Sequence, residues 1–428
     1  MQYSHCCGRA RLRAEYSQRR RAQLCVTQQR VSPKARVAIV TTLRAVPRAM
    51  LWSFVGWHLH LGFARIYLYF DDPRDTGIDD AKRVLAAAIR KGHPPDCVRI
   101  VPCDGVTRGE WGALKTYLRW EHMAQQISQH VEVRQMLNAE HALRHAHADA
   151  DIEWLLHIDS DELFMIDDLD AAAHFGRLSA HGCVNFRYPI HEGCPEQPES
   201  DNVFRTVTLF KRHVACVEET LNGSAPAAAA GGRRPEPADL AAAAGAFAFW
   251  QHAGRHYFLG SKQGKSATRV LPGSLPISVH AFHPPNATDL ARCWAGFEDD
   301  QDELGASLRV VRPSGGPCIL HYISCDARFW HHKYELLGQF GHKPGGERAG
   351  GLLTADSFHV QSRRVVAQRD AALARQWYTE QVCLLDAEEV QRQLASGVCA
   401  RVTHVREALE AGALVSSPSR LNVERRHT

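Results

Sequence analysis

Trp154-Leu-Leu-His-Ile-Asp-Ser-Asp-Glu-Leu-Phe164 is an apolar run that stops abruptly in three carboxylates, Asp159, Asp161 and Glu162. Asp-X-Asp occurs four times in the chain, at Asp149/Asp151, Asp159/Asp161, Asp168/Asp170 and Asp300/Asp302. Only the second closes a stretch that reads as a buried strand. Carboxylates in that position lie at the edge where open α/β sheets bind their ligands. Their oxygens suit a hard divalent cation, Mn²⁺ or Mg²⁺, that bridges to a diphosphate. A polar turn after a strand explains most isolated Asp-X-Asp runs, so the surrounding sequence has to decide.

That sequence alternates short apolar strands with helical stretches. Residues 36–43 are β-branched and apolar, and Pro47 then opens a helix with Leu51, Phe54, Val55, Leu59 and Leu61 on one face, which Gly62 stops. A second strand, 66–70, ends at Asp71-Asp72-Pro73. A helix over 79–91, a strand over 98–102 and a long helical stretch between Trp111 and His147 lead into the Trp154 strand. This βαβαβαβ order predicts an α/β fold with a mostly parallel, Rossmann-type sheet flanked by helices. A helix over 169–181 and a strand over 184–189 continue the pattern, and 207–211 reads as an antiparallel edge. Residues 221–246, rich in Ala, Gly and Pro, read as a disordered insertion loop. Short strands near 278–282 and 318–323, then amphipathic helices from about Asp326 and Arg363, complete the chain. The expected division is a basic leader (1–35), an α/β domain (36–345) and a helical C-terminal extension (346–428).

Composition narrows the class. At 428 residues, 45% hydrophobic and 23% charged, the chain has the make-up of a globular enzyme. Its net charge of +4 is small, and much of the excess lies in the Arg-rich leader, so no basic face points to nucleic acid. The leader lacks the apolar stretch of a secretory signal and reads as a tail. None of the 13 cysteines forms a C-x-x-C pair, which removes the commonest zinc pattern and leaves the redox compartment open.

Asp71 and Asp72, at the second strand end, suit either a nucleoside hydrogen bond or the turn before Pro73. Gly260-Ser-Lys-Gln-Gly-Lys-Ser266 falls one residue short of a P-loop and is rejected as one, though Lys262 and Lys265 can serve as point charges for phosphate. Among 25 histidines, His280, His283 and His321 stand out beside short apolar strands, where a neutral imidazole completes a metal shell begun by Asp161. For a base that takes the proton of an acceptor hydroxyl, the acids Asp299, Asp300, Asp302 and Asp326 are candidates.

Four segments together resemble the GT-A-fold glycosyltransferases of the family-92 and related family 2-like type. Phe54-Val-Gly-Trp-His-Leu-His-Leu-Gly-Phe63, followed by 66–71, is similar to their first-helix and second-strand signature. Residues 154–164 match their hydrophobic Asp-X-Asp-Glu segment. Gly264-Lys-Ser-Ala-Thr-Arg269 resembles their Gly-Lys-Ser strand, with His280 downstream, and His321-Tyr322 with Lys333 and Gly338 resembles their tail. Leu43-Arg-Ala-Val-Pro47 departs from the family's Lys-Asn-Glu-like turn, and Asp326 stands where Ser is usual. The resemblance implies a hexosyltransferase-like enzyme with a nucleotide-sugar donor, UDP-linked, and a glycan or glycoconjugate acceptor. It implies a divalent metal, usually Mn²⁺, for which Asp159, Asp161, His321 and His280 are the candidate ligands, and the candidate donor contacts are Thr42, Arg44, Asp71, Asp72, Lys262 and Lys265. It also implies a Golgi-type membrane anchor, which this sequence does not carry. A nucleotidyltransferase or metal phosphohydrolase would use the same strand-end acids, and a glycan-binding protein would keep the fold without turnover.

Overall fold

The computed structural model describes residues 34–116, 127–128, 130–149, 151–221, 236–250, 252, 255–260, 263–283, 300–301, 307–308, 316–337 and 357–412. Every residue of β1 (Val37–Leu43) is buried, as a central parallel strand covered on both faces must be. It pairs in parallel with β2 (Arg65–Phe70) on one side and β4 (Trp154–His157) on the other, and β3 (Val98–Pro102) extends the sheet beyond β2. Strand order therefore reverses between β1 and β4, which places a ligand crevice at their carboxyl ends.

Helices cover both faces of this sheet. Arg48–His60 was expected to be amphipathic, yet Met50 to Leu59 are buried without interruption. It is enclosed because it packs on Gly77–Arg90 and also on β5 (Glu162–Met165) of a second sheet. Val131–Ala148 covers the opposite face of β1.

Strand β6 (Asn185–Tyr188) keeps the direction of β1 to β4, as expected, but it does not pair with β4: β9 (Lys265–Arg269) lies between them, antiparallel to both. The 207–211 segment does not edge the first sheet. Its β8 (Leu209–Lys211) lies inside a second, five-stranded sheet of order β15-β8-β7-β14-β5, with β7 Ile190–Gly193, β14 Cys318–His321 and β15 Cys399–Arg401. Two-residue ladders join β10 (Leu275–Pro276) to β11 (Phe282–His283) and β12 (Asp300–Gln301) to β13 (Ser307–Leu308). The chain thus leaves the first sheet at His157 and enters the second at Glu162, and Asp159-Ser160-Asp161 is the crossover.

The expected domain divisions shift too. Lys34 pairs with Asp170, and Ala35 is buried, its N–H on the Ala172 carbonyl, so both belong to the fold rather than to a leader. Part of the expected insertion loop is helical. Glu236 and Asp239 form a reciprocal cap for Pro237–Phe249, which buries Ala243, Ala246 and then Trp250. Alanine-rich sequence has high helix propensity, and the tight caps outweigh its lack of amphipathic period. Residues 222–235 lie outside the described set. The C-terminal segment supplies four helices between Phe358 and Glu410 and also β15, so it completes the second sheet. No helix among the described residues is long and apolar enough to cross a membrane.

Aromatic and imidazole groups bind the layers. Trp57 Nε1 donates to the Phe164 carbonyl at 2.8 Å, while His58 Nε2 accepts from Phe164 N at 3.1 Å. His58 Nδ1 lies 2.8 Å from the Phe54 carbonyl, so the ring is held as one neutral tautomer. Burial lowers His58, His157 and His191 to about 3. A histidine with a folded pKa below its unfolded value stabilises the fold above pH 6.5, and loses that contribution as pH falls toward the folded value. By pH 5.5 each such histidine costs on the order of 1 kcal/mol, and the trio a few kcal/mol. The urea midpoint should therefore fall clearly between pH 7.5 and pH 5.5; equal midpoints would show that these rings protonate in the native state.

Candidate functional site

The crevice between the sheets is a cleft of about 360 Å³ whose floor is the Asp159–Glu162 turn. The turn is closed from both sides: Glu162 N donates to the Asp159 carbonyl at 3.1 Å, and Asp159 N to Glu162 Oε2 at 2.8 Å. Tyr322 N, just past β14, donates to the Asp161 carbonyl at 2.8 Å. Register then brings His321 opposite Glu162 on β5.

Each aspartate meets a lysine. Lys265 Nζ lies 2.6 Å from Asp159 Oδ2 and 3.4 Å from Glu162 Oε2, on a side chain only 1% exposed. Gln135 Nε2 donates to Asp159 Oδ1 at 2.7 Å. Lys333 Nζ lies 3.1 Å from Asp161 Oδ2, and His321 Nε2 is 3.8 Å from Asp161 Oδ1. Burial pushes the Asp159 carboxyl up, but the Lys265 charge outweighs it and holds Asp159 well below the usual carboxylate range. Asp161 is lowered in the same way, burial being overcome by Lys333. Glu162, deeper, stays raised by burial. Burial depresses both ammonium groups, and their carboxylates more than offset it, so both lysines are raised above the usual range.

Gly264 makes the Lys265 position possible. Its φ is +78°, and a Cβ there would lie 2.3 Å from the Tyr188 carbonyl oxygen. The Gly264 carbonyl lies 2.9 Å from His280 Nδ1, which orients that ring, and burial lowers His280 to about 3.

The remaining candidates separate into those inside and those outside the cleft. Thr42, Arg44, His280 and His321 line it with the acids. Asp71 is buried behind it, its carboxylate gripped by Arg134, with Nη2 at 2.8 Å, and touched by Arg44 at 3.4 Å. It orders Arg44 rather than meeting a nucleoside directly. Asp72 forms the turn, accepting from Arg74 N at 2.9 Å. Asp326 is buried and accepts from Ser200 N at 2.7 Å and Phe329 N at 2.8 Å, so it caps the Ala327–Leu337 helix and is no free base. Lys265 is the aspartates' counter-ion rather than a phosphate contact. Asp300 pairs with Leu308 in its ladder, its side chain outside the described set, and Lys262, Asp299, Asp302 and Gly338 also lie outside it.

The two other acid pairs that are described do structural work. Asp149 holds Arg65, Asp151 holds Arg36, and Asp168 and Asp170 hold Arg177 and Lys34. Gln135, Glu132, His332 and Lys333 line the cleft without having been singled out as site residues. A signal for part of this was present: Arg134, Asn138 and His141 lie at helical spacing, a polar stripe inside a buried helix. They meet Asp71, Thr42 (3.0 Å) and Tyr69 (2.7 Å) at the strand ends.

Among the described residues no three His, Cys, Asp or Glu side chains already form a metal cluster. The donor atoms left over do fit a divalent cation that arrives with its own ligands. Asp161 Oδ1 and His321 Nε2, 3.8 Å apart, can share one ion, since two bonds of about 2.1 Å span up to about 4.2 Å. Such ions keep several waters and take phosphate oxygens. His321 Nδ1 is buried without a hydrogen-bond partner, so the ring lacks the usual outer support of a metal-bound histidine. Removing Lys265 should be severe. Lys265→Met leaves Asp159 and Glu162 unpaired, and should lower stability by about 3–5 kcal/mol, read as a loss of melting temperature or of soluble protein. A melting curve like the parent's would show that the cluster is not held by this ammonium.

No protein-family model matches the chain, and no curated protein matches it either.

Proposed function

We propose that this protein is a glycosyltransferase of the GT-A type, similar to the family-92 group, that moves a sugar from a UDP-linked donor to a glycan or glycoconjugate acceptor. One observation carries the reading. The Asp159-Ser160-Asp161 crossover sits at the carboxyl edge where strand order reverses, with Asp161 Oδ1 facing His321 Nε2 across 3.8 Å in an open cleft. Thr42 and Arg44 at the end of β1, with Gln135 and Glu132, form the wall for the nucleoside; Arg44 is steered by Asp71. Asp161 and His321 would hold Mn²⁺ or Mg²⁺, which when bound neutralises charge on the departing diphosphate. The chain's own part is to hold Asp161 ionised and to fix His321 by strand register.

The test is a screen of nucleotide-sugars with Mn²⁺, reading UDP release with and without acceptor glycans. Release of pyrophosphate or phosphate instead would replace the reading with nucleotidyl transfer or phosphohydrolysis. UDP should raise the melting temperature more with Mn²⁺ than with EDTA, and an equal rise would remove the metal.

Within the cleft the substitutions rank by position. Asp161→Asn should abolish UDP release in a folded protein, whereas Asp72→Asn and Asp168→Asn, on turn and surface ion pairs, should retain it. His321→Ala should weaken Mn²⁺ and UDP together, by roughly 10- to 100-fold if it orients the ion. Similar losses at all four positions would mean that the wrong carboxylate has been chosen.

A further inference from the structure

The two lysines beside the aspartates are not equivalent. Lys265 is 1% exposed and wedged between Asp159 and Glu162, with no free side toward the cleft. Lys333 is 26% exposed, lines the cleft and touches, among the described carboxylates, Asp161 alone, at 3.1 Å. The carboxylate best placed to hold a cation therefore already has a counter-ion. That counter-ion is a point charge on a stem of four rotatable bonds, so a modest rotation carries it off Asp161 into the cleft. A half-buried ammonium does not leave its partner for nothing, because an unpaired charge there is costly. It leaves when another anion is offered. A diphosphate is such an anion, and a divalent cation is what can take the vacated carboxylate.

Building on the nucleotide-sugar reading above, we propose that Lys333 is an exchangeable counter-ion. It competes with divalent metal for Asp161, and passes to the diphosphate of the donor when metal and nucleotide enter together. Asp161 then never stands unpaired, and neither does Lys333. Metal alone must displace the ammonium with no anion to receive it, so it binds weakly. Nucleotide supplies that anion, so each ligand tightens the other by the same factor. The arrangement makes donor and metal arrive as a unit.

Isothermal titration of the full chain tests this with Mn²⁺ alone, UDP in EDTA, and UDP in Mn²⁺. Lys333→Met should bind Mn²⁺ alone more tightly than the parent, because the competitor is gone. It should bind UDP in Mn²⁺ at least roughly 10-fold more weakly, the scale of one lost charge-assisted contact. Mn²⁺ binding that is unchanged or weakened in Lys333→Met would overturn the competition, since a lysine that merely supports the site gives that sign. Asp161→Asn gives the independent arm should Lys333→Met fail to fold. It releases Lys333, so UDP in EDTA should bind more tightly than to the parent; equal or weaker binding overturns the transfer. The Mn²⁺ arm contains no nucleotide. If UDP binds the parent under no condition, the donor reading and the transfer step fall, while the competition at Asp161 is still decided.

Discussion

The buried ammonium of Lys265 is the contact on which the rest of the site depends. It projects from β9 of the first sheet and pairs with Asp159 at the end of β4 and with Glu162 at the start of β5 in the second. A charge with 1% exposure cannot be left alone in a low-dielectric interior, so the three groups hold one geometry or none. Such a cluster adds little net stability over an apolar substitute of the same volume. Its effect is on uniqueness: the Asp159–Glu162 turn has one place to lie, and both sheets must come to it. Gly264 is the local condition for this, since only a residue without Cβ lets the strand pass the Tyr188 carbonyl and deliver Lys265.

A second constraint comes from the Trp57-His58 pair. Its two rings take the N–H and C=O of a single residue, Phe164, and so fix β5 from the helix side. The pair, part of the 54–63 segment that carries the family resemblance, is thus a structural clamp, and it acts on the site through the strand that follows the aspartates. The polar stripe of Val131–Ala148 does the corresponding work at the other wall. Arg134 and Asn138 occupy Asp71 and Thr42, leaving Gln135, one residue round the helix, to reach Asp159. Polar groups of this kind are buried because they are fully paired, and their pairing sets where the open positions of the cleft fall.

What could be read in the sequence was what is local. The apolar run ending at Ile158, the short strands 36–43, 66–70 and 98–102, and the helices between them each carry their own pattern, and the parallel order follows from their alternation. The Asp159/Asp161 pair stood apart from the three other Asp-X-Asp runs for the same local reason. The second sheet was not legible, because its strands are three or four residues long and joined across large separations, such as Glu162 with His321 or Phe210 with Ala400. The partners of the acids were hidden for that reason as well. Nothing near Asp71 announces Arg134, and nothing near Asp326 announces that Ser200 N will use its carboxylate. Lys265 reads in the sequence as a point charge for phosphate because nothing near it shows a carboxylate partner; only the fold shows 106 residues of chain closing to set it on Asp159.

The segment after residue 357 follows the same logic. It was expected as an extension, yet the helix that carries Lys333 is braced by it on two sides. Trp377 stacks on Trp330 at 5.6 Å, and Tyr378 Oη donates to the Ser324 carbonyl at 2.7 Å. Trp330 Nε1 reaches Ser362 Oγ at 3.1 Å. Tyr322, between β14 and that helix, holds the Asp161 backbone, so the carboxylate, the imidazole of His321 and the ammonium of Lys333 all hang on one stretch, 318–333. Strand β14 is itself pinned between β5 and β7. The cleft is therefore made by closure between sheets rather than by the edge of one sheet. The first sheet contributes Thr42 and Arg44 through β1, Asp159 through the end of β4 and Lys265 through β9, and the second contributes Glu162, His321 and, on the helix after β14, Lys333. A change that loosens the C-terminal helices acts on Lys333 and His321 before it acts on Asp159, whose lysine belongs to the other sheet.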